Sequence, residues 1–144
     1  MKAKLLEHSK GAELFALIFE TGDEVTSGIL NFAREHHLSA AHFSGIGAFQ
    51  KAVLGYFDWE KKEYLRIPID EQVEVVSLVG DIALEKEEPK LHAHVVIARR
   101  DASTQGGHLL EAHVRPTLEV MLEVSPARLQ KYFDPASGLA LIRI

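Results

Sequence analysis

The sequence predicts an α+β protein in which a mostly antiparallel mixed sheet packs with one main helix. Roughly eight segments have the alternating or continuous apolar pattern of strands. One long segment has the apolar spacing of a helix instead. No internal repeat, domain linker or low-complexity tract divides the 144 residues. We therefore expect a single domain over residues 1–144.

The composition excludes several classes of protein. Cysteine is absent, so a transition-metal site would have to use imidazole and carboxylate ligands. No stretch has the pattern of a signal peptide or an apolar membrane span, and we expect a cytoplasmic protein without membrane contact. The formal net charge of −5 does not favour contact with DNA phosphates, because that contact depends largely on clustered Lys and Arg.

The first quarter of the chain predicts a strand followed by the main helix. Glu13–Phe19 is a short apolar run typical of a buried strand. Thr21-Gly22-Asp23-Glu24 has the pattern of a capping box, in which Thr21 and Glu24 exchange hydrogen bonds. Four apolar residues then recur at helical spacing: Val25, Ile29, Phe32 and Ala33. Gly28 within this helix suggests a close approach between helix and sheet.

The middle of the chain has strand patterns throughout. Ser39–Phe49 is interrupted by Gly45 and Gly47, which suggests a bulge or a close backbone approach. Three further predicted strands follow: Lys51–Trp59, Tyr64–Ile67 and Val73–Ala83. A charged connection, Glu85–Lys90, then leads to the next strand.

The last third predicts a loop, a long strand and two short elements. Arg100–Gly107 has loop composition. His108–Val124 alternates as an amphipathic strand, broken at Pro116. Ser125–Tyr132 predicts a short helical stretch with proline at its first turn. Leu139–Ile144 closes the chain as a strand.

Two histidines, His92 and His94, lie in an apolar strand whose side chains alternate with period 2. Both imidazoles therefore point the same way, with Cβ atoms roughly 6.5–7 Å apart at about 3.3 Å per residue. His108 follows two glycines, Gly106 and Gly107, which can adopt torsion angles closed to other residues. The question for function is whether these three imidazoles meet.

A plain hairpin argues against that meeting. Matching the buried faces of the two strands sets Ala98 opposite His108, which leaves His94 about 13 Å away at 3.3 Å per residue. One ion with bonds of about 2 Å cannot span that gap. A three-histidine site would then need strands that are not neighbours, a loop folded back at Gly106, or His108 from another subunit.

Other titratable residues have simpler interpretations. His113 is an alternative third ligand, although its parity puts it on the polar face. Glu111 is either a general base or a solvated side chain. Asp81 follows a glycine and reads as a turn residue. The remaining histidines are assigned structural or surface roles: His8, His36, His37 and His42.

Several segments together resemble the plant-and-prokaryote conserved (PPC) domain family. They are Gly45–Phe49, Leu54–Asp58, Glu74–Gly80, His92–Val96 and Gly106–Ala112. The resemblance extends over roughly Ala12 to Ile144, with the segments in family order. It implies a compact α+β domain that assembles as a homotrimer. It also implies a metal site on His92, His94 and His108. The chain resembles a stand-alone prokaryotic member of the family, because it contains no AT-hook segment.

Three hypotheses for function follow. The first is a homotrimer that binds a divalent metal, Zn²⁺ by preference, through the three histidines and serves a small-molecule or regulatory role. The second is a DNA-associated or partner-binding module, as the family label of DNA binding suggests. The third is a metal-dependent hydrolase. The sequence names no substrate, and enzymatic activity stays open.

Overall fold

The computed structural model describes residues Met1–Ile144 and contains nine strands and one helix. In chain order the elements are β1 (Lys2–Ser9), β2 (Ala12–Glu20), α1 (Val25–Glu35), β3 (Ala40–Asp58), β4 (Glu63–Ile69), β5 (Val73–Glu85), β6 (Glu88–Ala98), β7 (Thr104–Val124), β8 (Gln130–Asp134) and β9 (Leu139–Arg143). The single helix, α1, has 11 residues and is too short to span a membrane.

All nine strands belong to one sheet with the order β1-β2-β7-β3-β5-β8-β9. Strand β4 pairs with β3, and β6 pairs with both β5 and β7. The pairings among β3, β5, β6 and β7 therefore close into a ring. Every pair is antiparallel except β5–β8, which is parallel. The predicted α+β class with a mostly antiparallel mixed sheet is confirmed.

The apolar stripe of α1 is buried, as its spacing predicts. Val25, Ile29 and Phe32 are at most 3% exposed and join one core with the inner residues of the sheet. At Gly28 a Cβ atom would lie 2.6 Å from Cε1 of Phe19 in β2. The close approach predicted at Gly28 is therefore confirmed, because a larger residue would displace the phenylalanine ring.

The capping box predicted at the start of α1 is wrong. Glu24 itself is the N-cap, and its carboxylate accepts hydrogen bonds from the amides of Thr26 and Ser27. The same carboxylate accepts from the amide of Ala112 in β7. Thr21 instead donates its hydroxyl to the carbonyl of Pro116. The tie to β7 explains the difference, since it holds Glu24 where it can reach the first turn.

The two strands predicted over residues 39–59 are one strand, β3, with an irregularity between Gly45 and Gly47 in its pairing with β5. A Cβ atom at Gly47 would lie 2.3 Å from the carbonyl oxygen of Thr117. The prediction of a bulge and a close approach at these glycines is confirmed. The bend lets one strand pair with β5 along its first half and with β4 along its second.

Strand β7 differs from the prediction at its start and at Pro116. It begins at Thr104, so Gly106 and Gly107 are strand residues and neither has a positive φ. It also continues through Pro116, where the sequence predicts a break. The ladder with β3 skips this region, because Gly47 pairs with Leu118 while Phe49 pairs with Val114.

The helical stretch predicted over Ser125–Tyr132 is wrong. The amides of Ser125 and Leu129 donate to the carbonyls of Ala40 and Ser39, respectively, so this segment lies against the start of β3 rather than coiling. Strand β8 then begins at Gln130. Strand β1 was not predicted, because all its residues are exposed and it has no apolar face to signal a strand.

Candidate metal centre

The pairing of β6 with β7 brings two of the predicted ligands face to face. His94 lies directly opposite His108, and Ala98 lies opposite Thr104. The predicted register, with Ala98 opposite His108, is wrong because the connecting loop spans only residues 99–103. Residues directly opposite in an antiparallel pair project from the same face, so both imidazoles share one side of the sheet.

The three histidines form one cluster within a single chain. The Nε2 atoms of His92 and His94 are 3.2 Å apart. One ring nitrogen from each of His92, His94 and His108 can be chosen so that all three lie within 4.8 Å of one another. The ring of His108 stacks on that of His92 with centroids 5.2 Å apart. No second subunit is needed to bring these rings together.

Asp81 supports the cluster from the neighbouring strand β5. It lies opposite His92, and its Oδ2 atom is 3.3 Å from the Nδ1 atom of His92. Lys131 of β8 reaches the other carboxylate oxygen, with 3.2 Å between Nζ and Oδ1. The prediction that Asp81 is a turn residue is therefore wrong. Its carboxylate orients His92 so that Nε2 faces His94.

Partial burial favours the neutral form of two of the three imidazoles, His94 and His108. Burial lowers the pKa of His108 to about 4, with a further contribution from neighbouring His92. Burial, with His92 as second cause, also lowers the pKa of His94. Burial alone would raise the pKa of Asp81, but the hydrogen bond with His92 and the charge of Lys131 outweigh it and leave the pKa low. Neutral imidazoles beside a carboxylate suit a cation.

His108 also has an orphaned polar atom. Its Nδ1 atom is buried and has no hydrogen-bond partner, although such atoms in proteins are nearly always paired. The ring packs against Tyr64 of β4, with centroids 4.7 Å apart. Burial raises the pKa of the Tyr64 phenol, which therefore stays protonated at neutral pH.

The alternative residues lie outside the cluster. His113 approaches Glu111, with 3.3 Å between its Nε2 atom and a carboxylate oxygen. Glu111 also lies 3.9 Å from Arg66 of β4, on the other side of β3. His36 caps the end of α1 and stacks on Phe32 with centroids 4.1 Å apart, in agreement with a structural role.

Sequence reasoning missed Asp81 and Lys131. A signal for Asp81 was present, because a tight turn at Lys86-Glu87 sets it opposite His92. Both turn residues have the positive φ of a compact hairpin. No comparable signal exists for Lys131, which reaches the site only through the parallel pairing of β8 with β5.

Three imidazoles that converge on one face of an antiparallel sheet define the class of this protein, a candidate metal-binding β protein. Its family follows from comparison with known proteins. The family model of the Plants and Prokaryotes Conserved (PCC, also PPC) domain matches residues 7–126. The chain therefore belongs to this family, and the predicted resemblance is confirmed. Among curated proteins, none matches the chain.

Several solved structures are similar over nearly the whole chain. A PPC protein from Pyrococcus horikoshii is 30% identical, with a TM-score of 0.85 over 99% of this chain and 95% of that one. A metal-containing protein from Archaeoglobus fulgidus is 33% identical, with a TM-score of 0.84 over 99% and 97%. A protein from Bacteroides thetaiotaomicron, named for proposed DNA binding, is 25% identical, with a TM-score of 0.87 over 98% and 96%.

Proposed function

We propose that the whole chain works as one PPC domain that binds a divalent transition metal, Zn²⁺ by preference, through His92, His94 and His108. The observation that carries this proposal is the convergence of three ring nitrogens to within 4.8 Å. Imidazole is a preferred ligand of Zn²⁺. Three protein ligands leave one position of a tetrahedral ion for water or a small molecule.

The geometry and the chemistry of the donors fit such an ion. Bonds of about 2.0–2.1 Å in a tetrahedron separate two ligand nitrogens by roughly 3.3 Å, and the nitrogens of His92 and His94 are 3.2 Å apart. His108 needs only a small side-chain movement to close the remaining distance. Its Nδ1 atom is buried and has no hydrogen-bond partner. Coordination of an ion by this atom would supply the missing partner, which supports the proposal.

The hydrogen bond between Asp81 and His92 gives the arrangement a second support. Histidines that ligate metals usually donate their other ring nitrogen to a carboxylate or carbonyl, which fixes the tautomer and raises the basicity of the ligand. The 3.3 Å contact between Nδ1 of His92 and Asp81 has this form. A relative from Archaeoglobus fulgidus is itself named as a metal-containing protein.

Elemental analysis of protein purified without a histidine tag tests the proposal. We expect about one zinc per chain in the wild type and less than about a tenth of that in a His92→Ala, His94→Ala double variant. The matched control removes two exposed histidines outside the cluster, His8→Ala and His37→Ala, and should keep the metal. Metal that survives the His92, His94 double change would refute the site.

We also propose a homotrimer, with the outward face of the sheet as its interface. Four large apolar side chains on neighbouring strands of this face are 40–62% exposed: Ile46, Val79, Val96 and Met121. Val79 lies opposite Ser44, which in turn lies opposite Met121, so Val79 and Met121 lie on the same face of the sheet, on either side of an exposed serine. Exposed apolar patches of this kind mark association sites.

Light scattering coupled to size-exclusion chromatography tests the trimer. The wild type should have three times the chain mass of 16.0 kDa, while Val79→Asp should dissociate it. Lys4→Asp, on the exposed strand β1, is the matched control. A wild type that elutes as a monomer at all concentrations contradicts this part of the proposal.

The DNA-associated alternative rests on the names of relatives such as the Bacteroides protein. The net charge of −5 weighs against it. A mobility-shift assay at two salt concentrations tests this alternative, because DNA binding through phosphate contacts must weaken steeply as the salt concentration rises. Absence of binding at low salt would end this alternative. A metal-dependent hydrolase stays as the third hypothesis, with no reaction assigned.

A further inference from the structure

A cleft of about 620 Å³ opens beside the histidine cluster. His92 and His108 form one end of it, with Tyr64 beside them. The C-terminal hairpin also lines the cleft, through residues 138–142 together with Lys131. Its volume lies within the range of about 300–1,000 Å³ that small-molecule sites occupy in proteins.

Lys131 is the unusual residue of this cleft. Its side chain is only 6% exposed, and lysine is rarely buried unless it is paired. It comes from β8, which lies beyond residues 7–126, the part that matches the family model. The cluster itself lies wholly inside that part. The cleft is therefore completed by a segment that the family pattern does not cover.

The charges around the cleft balance only while no cation is bound. Lys131 lies 3.2 Å from a carboxylate oxygen of Asp81. Lys90 lies 3.4 Å from a carboxylate oxygen of Glu85. The charges within each of these two pairs cancel. A divalent ion would add two positive charges to a partly enclosed space, which then favours a negatively charged ligand.

The rest of the lining indicates what kind of anion fits. Half of the lining residues are hydrophobic, and four of them are large aliphatic side chains: Leu91, Leu139, Leu141 and Ile142. A small inorganic ion would leave this apolar wall without a contact. An organic molecule with an anionic head and a short hydrocarbon body would cover it and remove it from water.

We propose that this cleft binds a small organic carboxylate, whose head lies between the histidine cluster and Lys131 and whose hydrocarbon body lies against the C-terminal hairpin. The inference rests on the proposed metal site, since the ion supplies the excess positive charge. It goes further by assigning a ligand class and by giving a binding role to Lys131 and the hairpin.

The test uses isothermal titration calorimetry with hexanoate and with hexanamide, its neutral counterpart of the same length. The zinc content of each sample is measured first, so that a failure of the metal site is seen separately from a failure of the cleft. With zinc-loaded wild type we expect hexanoate to bind at least about tenfold more tightly than hexanamide. Removal of zinc should weaken the binding of hexanoate by about tenfold or more.

Lys131→Met should weaken hexanoate by about tenfold while the zinc content stays that of the wild type. Lys4→Met, on the exposed strand β1, is the matched control and should change neither. Equal binding of hexanoate and hexanamide to zinc-loaded wild type, or no binding of either, overturns the inference without use of a variant. Inorganic phosphate binding more tightly than hexanoate would overturn the carboxylate assignment.

Discussion

Two residues of the histidine cluster and the C-terminal hairpin form two walls of one cleft, but these walls are held in different ways. His92 and His94 of the cluster lie on β6, which pairs with β5 from Glu74–Ala98 to Glu85–Glu88 and with β7, the strand of His108, from His94–His108 onward. The hairpin pairs with the rest of the sheet at Leu84–Gln130 and Glu85–Lys131. Lys131 adds the ion pair with Asp81.

This difference separates the positioning of the metal ligands from the binding of a small molecule. Ladders on both sides of β6, with Ala93 and Val95 buried beneath the cluster, fix the positions of the imidazoles through the backbone. The hairpin wall depends on two pairs of residues and a few side-chain contacts. We therefore expect substitutions around the cluster to affect stability and metal affinity, and substitutions in the hairpin to affect ligand binding.

The largest expected effect is the loss of stability in Gly80→Ala, a substitution in the ladder between β5 and β6. A Cβ atom at Gly80 would lie 2.3 Å from Cζ of Phe43 and 2.5 Å from the carbonyl oxygen of His92. Overpacking of this kind should reduce the free energy of unfolding by about 3 kcal/mol, as measured by urea denaturation. In Gly106→Ala the nearest atom is 3.2 Å away, so that control should lose less than about 1 kcal/mol. Equal losses would contradict this account of β6.

The next effect concerns the support of His92. Asp81→Asn removes the charge of the carboxylate that contacts the Nδ1 atom of His92, and should weaken zinc binding by about 10–100-fold. Zinc affinity is measured by competition with a chelator of known affinity. Asp101→Asn, in the loop between β6 and β7, is the control and should have wild-type affinity. An unchanged Kd in Asp81→Asn would mean that the carboxylate does not orient the ligand.

A smaller effect is expected from pH in the metal-free protein. The pKa of His108 is lowered to about 4 by burial, whereas an unfolded chain has a value near the ordinary 6.5. Below pH 6.5 the unfolded state binds a proton that the folded state does not. The free energy of unfolding therefore decreases as the pH is lowered, until the pKa of the folded state is reached. Allowing for screening, we expect a loss of about 1 kcal/mol by pH 5.

Urea denaturation in the presence of a chelator, at pH 7.5, 6 and 5, measures this loss. His108→Gln should flatten the profile over the same window, because the buried group that resists protonation is gone. A profile in His108→Gln as steep as that of the wild type would assign the dependence to other groups.

The smallest expected effect on metal binding lies in the hairpin. Lys131→Met removes a cation near the site and leaves the contact between Asp81 and His92 in place, so zinc affinity should stay the same or rise by up to about threefold. A loss of zinc affinity in Asp81→Asn without a loss in Lys131→Met would sharpen the contrast between the two walls. A large loss of zinc in Lys131→Met would show that the hairpin supports the cluster as well.

The two walls also differ in how far the sequence predicts them. Period-2 alternation alone predicts that His92 and His94 share a face, because it depends only on neighbours along one strand. His108 is a third candidate because it follows Gly106 and Gly107, and the family resemblance joins it to the site. Its predicted pairing with Ala98 is wrong by four residues, because the strand begins at Thr104 and not after Gly107. Register depends on where a turn closes, and loop composition does not fix that point.

The sequence by itself determined the class of the sheet, the buried stripe of α1 and the shared direction of two imidazoles. Each of these follows from residues close together along the chain. Only the tertiary structure decided that His94 faces His108, that Asp81 orients His92, and that Lys131 enters the cleft. The reason is physical: strand register and the parallel contact of β8 with β5 join residues far apart in sequence, and no local pattern encodes those meetings.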